Sequence, residues 1–230
     1  MWPVSRAVAC RWLNVRASRG VLLHGPPGCG KTRLARACAH EARRTFLALS
    51  CADVYAPYLG EAEAIIQRAF RAADAAAPCV LFFDEVDALV GQRSAPTAGG
   101  AETRLLATFL TCLDGVFSPR HGVVVIGATN RPHAIDRALL RPGRLEKSVY
   151  VGLPDCIDRT AILARHACAI PVHADVDLTV VATATRGLSG ASLTKIFRSA
   201  ILTALRTCAL RPDTGLNAWR ISANDLEASY

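Results

Sequence analysis

The segment Gly25-Pro26-Pro27-Gly28-Cys29-Gly30-Lys31-Thr32 constrains this chain more than any other feature. It fits G-x-x-x-x-G-K-[ST] in full, follows a short apolar run at 21–23 and opens a helical pattern. Glycines at those places let backbone N–H groups converge on a phosphate, and the helix N-terminus adds its positive end. Lys31 is placed to reach the β- and γ-phosphates of a nucleotide, and the Thr32 hydroxyl to ligate Mg2+. Pro27, Gly28, Cys29, Gly30 and Arg33 fall in the same phosphate-binding segment. A strand, a glycine-rich turn and a helix in that order make a βα unit, the building block of a parallel sheet.

The rest of the chain repeats that unit. Short apolar runs at 21–23, 46–49, 80–83, 123–126 and 149–151 alternate with helical patterns near 31–43, 61–76, 102–113 and 136–140. The fold class expected is α/β: a five-stranded parallel P-loop NTPase sheet flanked by helices. Residues 91–100, rich in glycine, serine and proline, read as a mobile loop. After Pro154 the strand pattern stops, and 156–169, 175–185, 190–210 and 222–229 read as helices, the third opened by Ser189-Gly190. We therefore expect a large nucleotide-binding domain over 1–154 and a small helical domain over 155–230.

Two strand ends carry the chemistry. In Cys79-Val80-Leu81-Phe82-Phe83-Asp84-Glu85 a buried strand presents two carboxylates at its end. Asp84 is read as holding the Mg2+ shell and Glu85 as the general base that polarises the attacking water. The run 123–126 continues as Gly127-Ala128-Thr129-Asn130, where Asn130 is read as orienting the water or the γ-phosphate. The DxxG and NKxD of GTPases and the LSGGQ-like signature of ABC ATPases are absent from the sequence.

Composition narrows the rest. With 230 residues, 51% of them hydrophobic and 20% charged, the chain can bury a sizeable core. No apolar run approaches the roughly 18 residues a membrane helix needs. Nine cysteines, an odd number with none spaced CxxC, read as small apolar fillers in a reducing compartment rather than as disulfides or a zinc site. The net charge of +8 is spread along the chain without an aromatic-interleaved basic run, so no stable nucleic-acid partner is expected. The first acid is Glu41, and the basic start has the composition of a mitochondrial presequence; we read it as a basic helix leading into the first strand.

GPPGCGKT, LFFDEVDAL, IGATNRP and DRALLRPGRLEKSVYVGLPD, in this order, resemble the AAA ATPases, within them the valosin-containing-protein-like, type II branch. The resemblance covers essentially the whole chain. It implies an ATP- and Mg2+-dependent hydrolase that forms a homo- or hetero-hexameric ring with itself or related subunits and remodels, unfolds or disassembles protein substrates brought by adaptors. Arg141 and Arg144 match arginine fingers that reach a neighbouring subunit's γ-phosphate. His166, with Gly190 and Ala191, matches the contacts to base and ribose, and Tyr58, Leu59 and Gly60 match the pore loop that grips a translocating chain. The resemblance also implies an intracellular setting: cytoplasm or nucleus, with peroxisomal-membrane-associated or mitochondrial alternatives. The chain departs from the family at Ser192, Ala62, Thr103 and Pro57, and it starts after the Asp-Ile-Gly-Gly-like segment that helps enclose adenine, so it reads as a piece of a longer protein. Two other functions stay in view: a non-hydrolysing nucleotide-binding scaffold, and a nucleic-acid-dependent motor suggested by net charge alone.

Overall fold

A computed structural model describes residues 20–54, 60–89, 101–116, 122–168, 172–173, 176–209, 221 and 226. The chain divides into two compact units, Met1–Gly25 with Lys31–Val151 and Pro26–Gly30 with Gly152–Tyr230. The first holds β1 (Gly20–His24), α1 (Lys31–Glu41), β2 (Thr45–Ser50), α2 (Glu61–Ala75), β3 (Cys79–Asp84), α3 (Val86–Leu89), α4 (Ala101–Val116), β4 (Val124–Thr129) and β5 (Lys147–Tyr150). Its sheet is five-stranded and wholly parallel, in the order β2-β3-β4-β1-β5, as the alternating pattern predicts.

Side chains alternate between the faces of a strand, and here both faces are covered. Cys79, Leu81 and Phe83 of β3 and Val125 of β4 join the core built with α2 and α4. Val80 and Phe82 of β3, with Val124, Ile126 and Ala128 of β4, pack with Ala35 and Ala39 of α1 on the other side. The first core centres on three rings: Phe83 meets Phe109 edge-on at 4.9 Å between centroids, and Phe70 lies 5.4 Å and 5.9 Å from them. Because the central strands are buried on both sides, their sequences read as continuous apolar runs. β5 lies at the sheet edge and is exposed throughout.

The expected strands are present, most of them a residue or two longer than their apolar runs. The helix expected at 136–140 is a single 3-10 turn, Arg137–Leu140, opened by the Asp136 carboxylate accepting from the Ala138 amide at 2.8 Å. The 91–100 loop, the basic segment 1–19 and all of the expected 222–229 helix except Leu226 lie outside the described residues.

The second unit holds α5 (Cys156–Ala167), α6 (Leu178–Ala184) and α7 (Gly190–Ala209). Asp155 and Asp177 cap α5 and α6 by accepting from the Asp158 and Thr179 amides. Leu163, Val181, Leu193, Ile196, Phe197 and Ala200 share one core. Arg159 of α5 is buried and donates to the carbonyls of Ala182 and Pro154 at 2.8 and 2.9 Å. Among the described residues, no helix is long and apolar enough to cross a membrane.

Candidate functional site

The carboxyl ends of β1, β3 and β4 bring together most of the residues singled out from the first unit's sequence. β1 runs into the phosphate loop at Gly25, where φ is +147° and a Cβ would stand 2.1 Å from the Val151 carbonyl oxygen, so only glycine fits. Lys31 begins α1 and is buried. Its ammonium donates to the Gly25 carbonyl at 2.9 Å and to Asn130 Oδ1 at 2.7 Å. Thr32 Oγ1 donates to Asp84 Oδ2 at 2.7 Å. The loop lysine and threonine are thereby tied to the ends of β4 and β3, in the crevice where open parallel sheets take their ligands.

Glu85 follows β3 with φ of +54°, a left-handed conformation uncommon for a residue with a side chain. Its N–H donates to Asp84 Oδ1 at 3.0 Å, and its carbonyl accepts from Ala88 N at 2.8 Å, which turns the chain into α3 and leaves the Glu85 side chain exposed. Such strain concentrates at functional sites. Alongside, the Asp84 carbonyl accepts from the Cys51 amide at 2.9 Å. The Cys51 thiol is pushed far up, first by burial and then by the fields of Asp84, Asp87 and Glu85, so it stays neutral. A threonine hydroxyl bonded to a carboxylate, with two further acids near, offers the hard oxygen donors that suit Mg2+. Among the described residues, no three His, Cys, Asp or Glu side chains converge to hold a metal by themselves.

The β4 end is anchored on both sides of Asn130. Thr129 Oγ1 donates to Asp87 Oδ1 at 2.7 Å and accepts from the Arg131 amide at 2.9 Å. Asn130 itself is exposed.

Arg141 and Arg144 sit on the turn between the 3-10 segment and β5. Arg144 makes a bidentate pair with Asp114 of α4, Nε to Oδ1 and Nη2 to Oδ2 at 2.8 Å each, and its third nitrogen donates to the Ala138 carbonyl at 2.8 Å. The side-chain hydrogen bond holds the Asp114 carboxyl below its usual range and the Arg144 guanidinium above its own. Arg141 is exposed.

In the second unit, His166 of α5 lies 3.1 Å from Thr194 Oγ1 and stacks at 5.7 Å on Phe197. The loop tip Pro26–Gly30 belongs to this unit, and the Gly28 carbonyl accepts from the Ala191 amide at 3.1 Å. Gly28 has φ of +75°, and a Cβ would meet Ser189 Oγ at 2.8 Å and Ala191 Cβ at 2.9 Å. Cys29 and Gly30 are partly buried, while Pro27 and Arg33 are exposed. Ser192, where the family usually has an acid, shares a 3.0 Å hydrogen bond with Ser189. Tyr58 and Leu59 lie outside the described residues, and Gly60, φ +89°, caps the start of α2.

Sequence reading missed Asp87, Thr129, Asp114 and the Gly25 carbonyl as parts of the site. Asp114 sits in an amphipathic helical run thirty positions from its partner, so no local signal marks it. Thr129 and Asp87 fall within the strand-end motifs, but their contact joins the end of β4 to α3 across 42 positions of sequence.

With this geometry in place, the likenesses to known proteins are specific. The family described as "ATPase family associated with various cellular activities (AAA)" matches residues 21–153. An uncharacterized AAA domain-containing protein of Schizosaccharomyces pombe is 44% identical over 207 residues, covering 89% of this chain and 26% of that protein. The cell division control protein 48 homolog B of Arabidopsis thaliana is 41% identical over 208 residues, covering 89% of this chain and 34% of that protein. The chain thus spans about a quarter to a third of the length of these curated relatives.

Proposed function

The chain belongs to the AAA family of ATPases, and from that premise we propose that it hydrolyses ATP with Mg2+ at a site completed by a neighbouring subunit in a ring. The observation that carries this reading is the joined set Lys31–Asn130 and Thr32–Asp84 at three adjacent strand ends. The loop amides and Lys31 hold the phosphates. Thr32 and Asp84 would hold Mg2+, which when bound neutralises charge on the β- and γ-phosphate oxygens. Glu85 takes the proton of the attacking water, and Asn130 orients it against the γ-phosphate. Arg141, exposed on its turn, supplies guanidinium charge to the neighbour's transferring phosphoryl group, and Arg144 does so by giving up its pair with Asp114. His166, Gly190 and Ala191 contribute the base- and ribose-facing side from the helical domain. The work done is the remodelling of protein substrates, with adaptors and a pore loop around Tyr58, Leu59 and Gly60, by a homo- or hetero-hexamer.

The test is ATP turnover per subunit as a function of protein concentration. Wild type should rise with concentration, and Arg144→Ala should stay flat. Glu85→Gln should bind ATP with unchanged affinity and lose about 100-fold or more of the turnover. Turnover that persists in Glu85→Gln removes it as the base. A concentration-independent rate in wild type removes the shared site.

A further inference from the structure

We infer that Asp87 is a positioning residue that, through Thr129, fixes the loop carrying Asn130 and ties it to the strand end carrying Glu85. This inference rests on the hydrolase reading and adds to it the part that aligns its two water-facing residues. Asp87 stands two residues beyond Glu85, in the turn of α3 whose Val86 and Leu89 are fully buried. Its Oδ1 receives the Thr129 hydroxyl proton at 2.7 Å, and Thr129 is 1% exposed. With that proton committed, a lone pair of the same hydroxyl faces the Arg131 amide, 2.9 Å away. A carboxylate that accepts from a hydroxyl polarises it and strengthens the bond the hydroxyl in turn accepts.

Asn130 lies between the two anchored residues. Its backbone is pinned before and after by one hydroxyl, while its side-chain oxygen receives Lys31 Nζ at 2.7 Å. The β3 side is pinned as well, since Glu85 is turned by Asp84 Oδ1 and by its own bond from Ala88. Asp87 is thus the point where the chain beyond Glu85 and the chain around Asn130 are joined by side chains. An unanchored loop would keep phosphate binding, which depends on the Lys31 segment, and lose the orientation that the chemical step requires. A misplacement of about 1 Å in such a group costs on the order of 100-fold in rate, so even a partial release is measurable.

The test compares Asp87→Ala, Asp87→Asn and Thr129→Val in the full chain. Asp87→Ala and Thr129→Val should lower kcat by about tenfold or more, with KM and labelled-ATP affinity held within about twofold. Asp87→Asn keeps an acceptor for the Thr129 hydroxyl and should restore most of kcat. The double variant Asp87→Ala/Thr129→Val should be no slower than the slower single variant, because both remove one link. Independently of turnover, amide exchange without nucleotide should quicken about five- to tenfold at Arg131 in Asp87→Ala, and stay at the wild-type rate in Asp87→Asn. Unchanged kcat, a parallel loss of ATP affinity, or an Arg131 amide as protected as in wild type overturns the inference. An inactive wild-type chain overturns the hydrolase reading instead, and the Arg131 amide then decides the anchor by itself.

Discussion

Glu85 is a residue whose backbone state and proposed chemistry can be tested together. Its left-handed backbone costs about 1–2 kcal/mol for a residue with a Cβ. Glycine would adopt the same φ freely, although it gives back about 0.5–1 kcal/mol in the entropy of the unfolded chain. Glu85→Gly should therefore raise the melting temperature of the chain by about 1–3 °C while turnover is lost. A melting temperature that stays level or falls would show that the turn after β3 holds no strain. Positions that follow from contiguous spacing were legible in the sequence: Lys31 and Thr32 after the glycine loop, Asp84 and Glu85 where an apolar run ends in acids. The backbone state of Glu85 was not, because a strand-end carboxylate looks the same whether its φ is negative or positive. The Asp114–Arg144 pair was equally hidden, since a helix-surface aspartate has many solvated precedents and its partner is named only by the folded turn.

Elements were legible where periodicity is strong. Buried parallel strands leave unbroken apolar runs, and β3 and β4 were found that way. Their ends were misjudged because Asp84 and Thr129 are polar yet still belong to the strands: Asp84 pairs with Ser50 in the ladder to β2, and Thr129 with His24 in the ladder to β1. β5 was placed two residues late for the same reason. Its Lys147 and Ser148 pair with Val21 and Leu22 although neither side chain is buried. The interlock of α2, α4 and β3 rests on Phe70, Phe83 and Phe109, and each ring contacts the other two. Phe109→Ala leaves a cavity against two aromatic neighbours and should cost about 3–5 kcal/mol. Denaturant unfolding followed by tryptophan-independent circular dichroism measures it, and a loss below about 1 kcal/mol would mean α4 can collapse onto the gap.

At the scale of the whole chain, the helical unit keeps a charge where most cores keep none. Arg159 is buried, and its two described partners are carbonyl oxygens, Ala182 and Pro154. Arg159→Met fills similar volume but takes the Arg159 donor from the Pro154 carbonyl, at about 1–3 kcal/mol. It leaves the Ala182 carbonyl with the longer 3.3 Å bond from Thr185 Oγ1. Amide exchange should accelerate across α5, α6 and α7 and stay unchanged in β3 and β4. Uniform acceleration in both would mean the two units unfold as one. That the loop tip Pro26–Gly30 groups with the helical unit has no signal in the sequence, because the backbone bond from Ala191 to Gly28 joins positions far apart in the chain. That bond sits in the first turn of α7, a rod of twenty residues and hence about 30 Å long. A rod of that length has a long arm: a tilt of about 10° about its first turn would carry the opposite end of α7 through about 5 Å, roughly the length of a side chain.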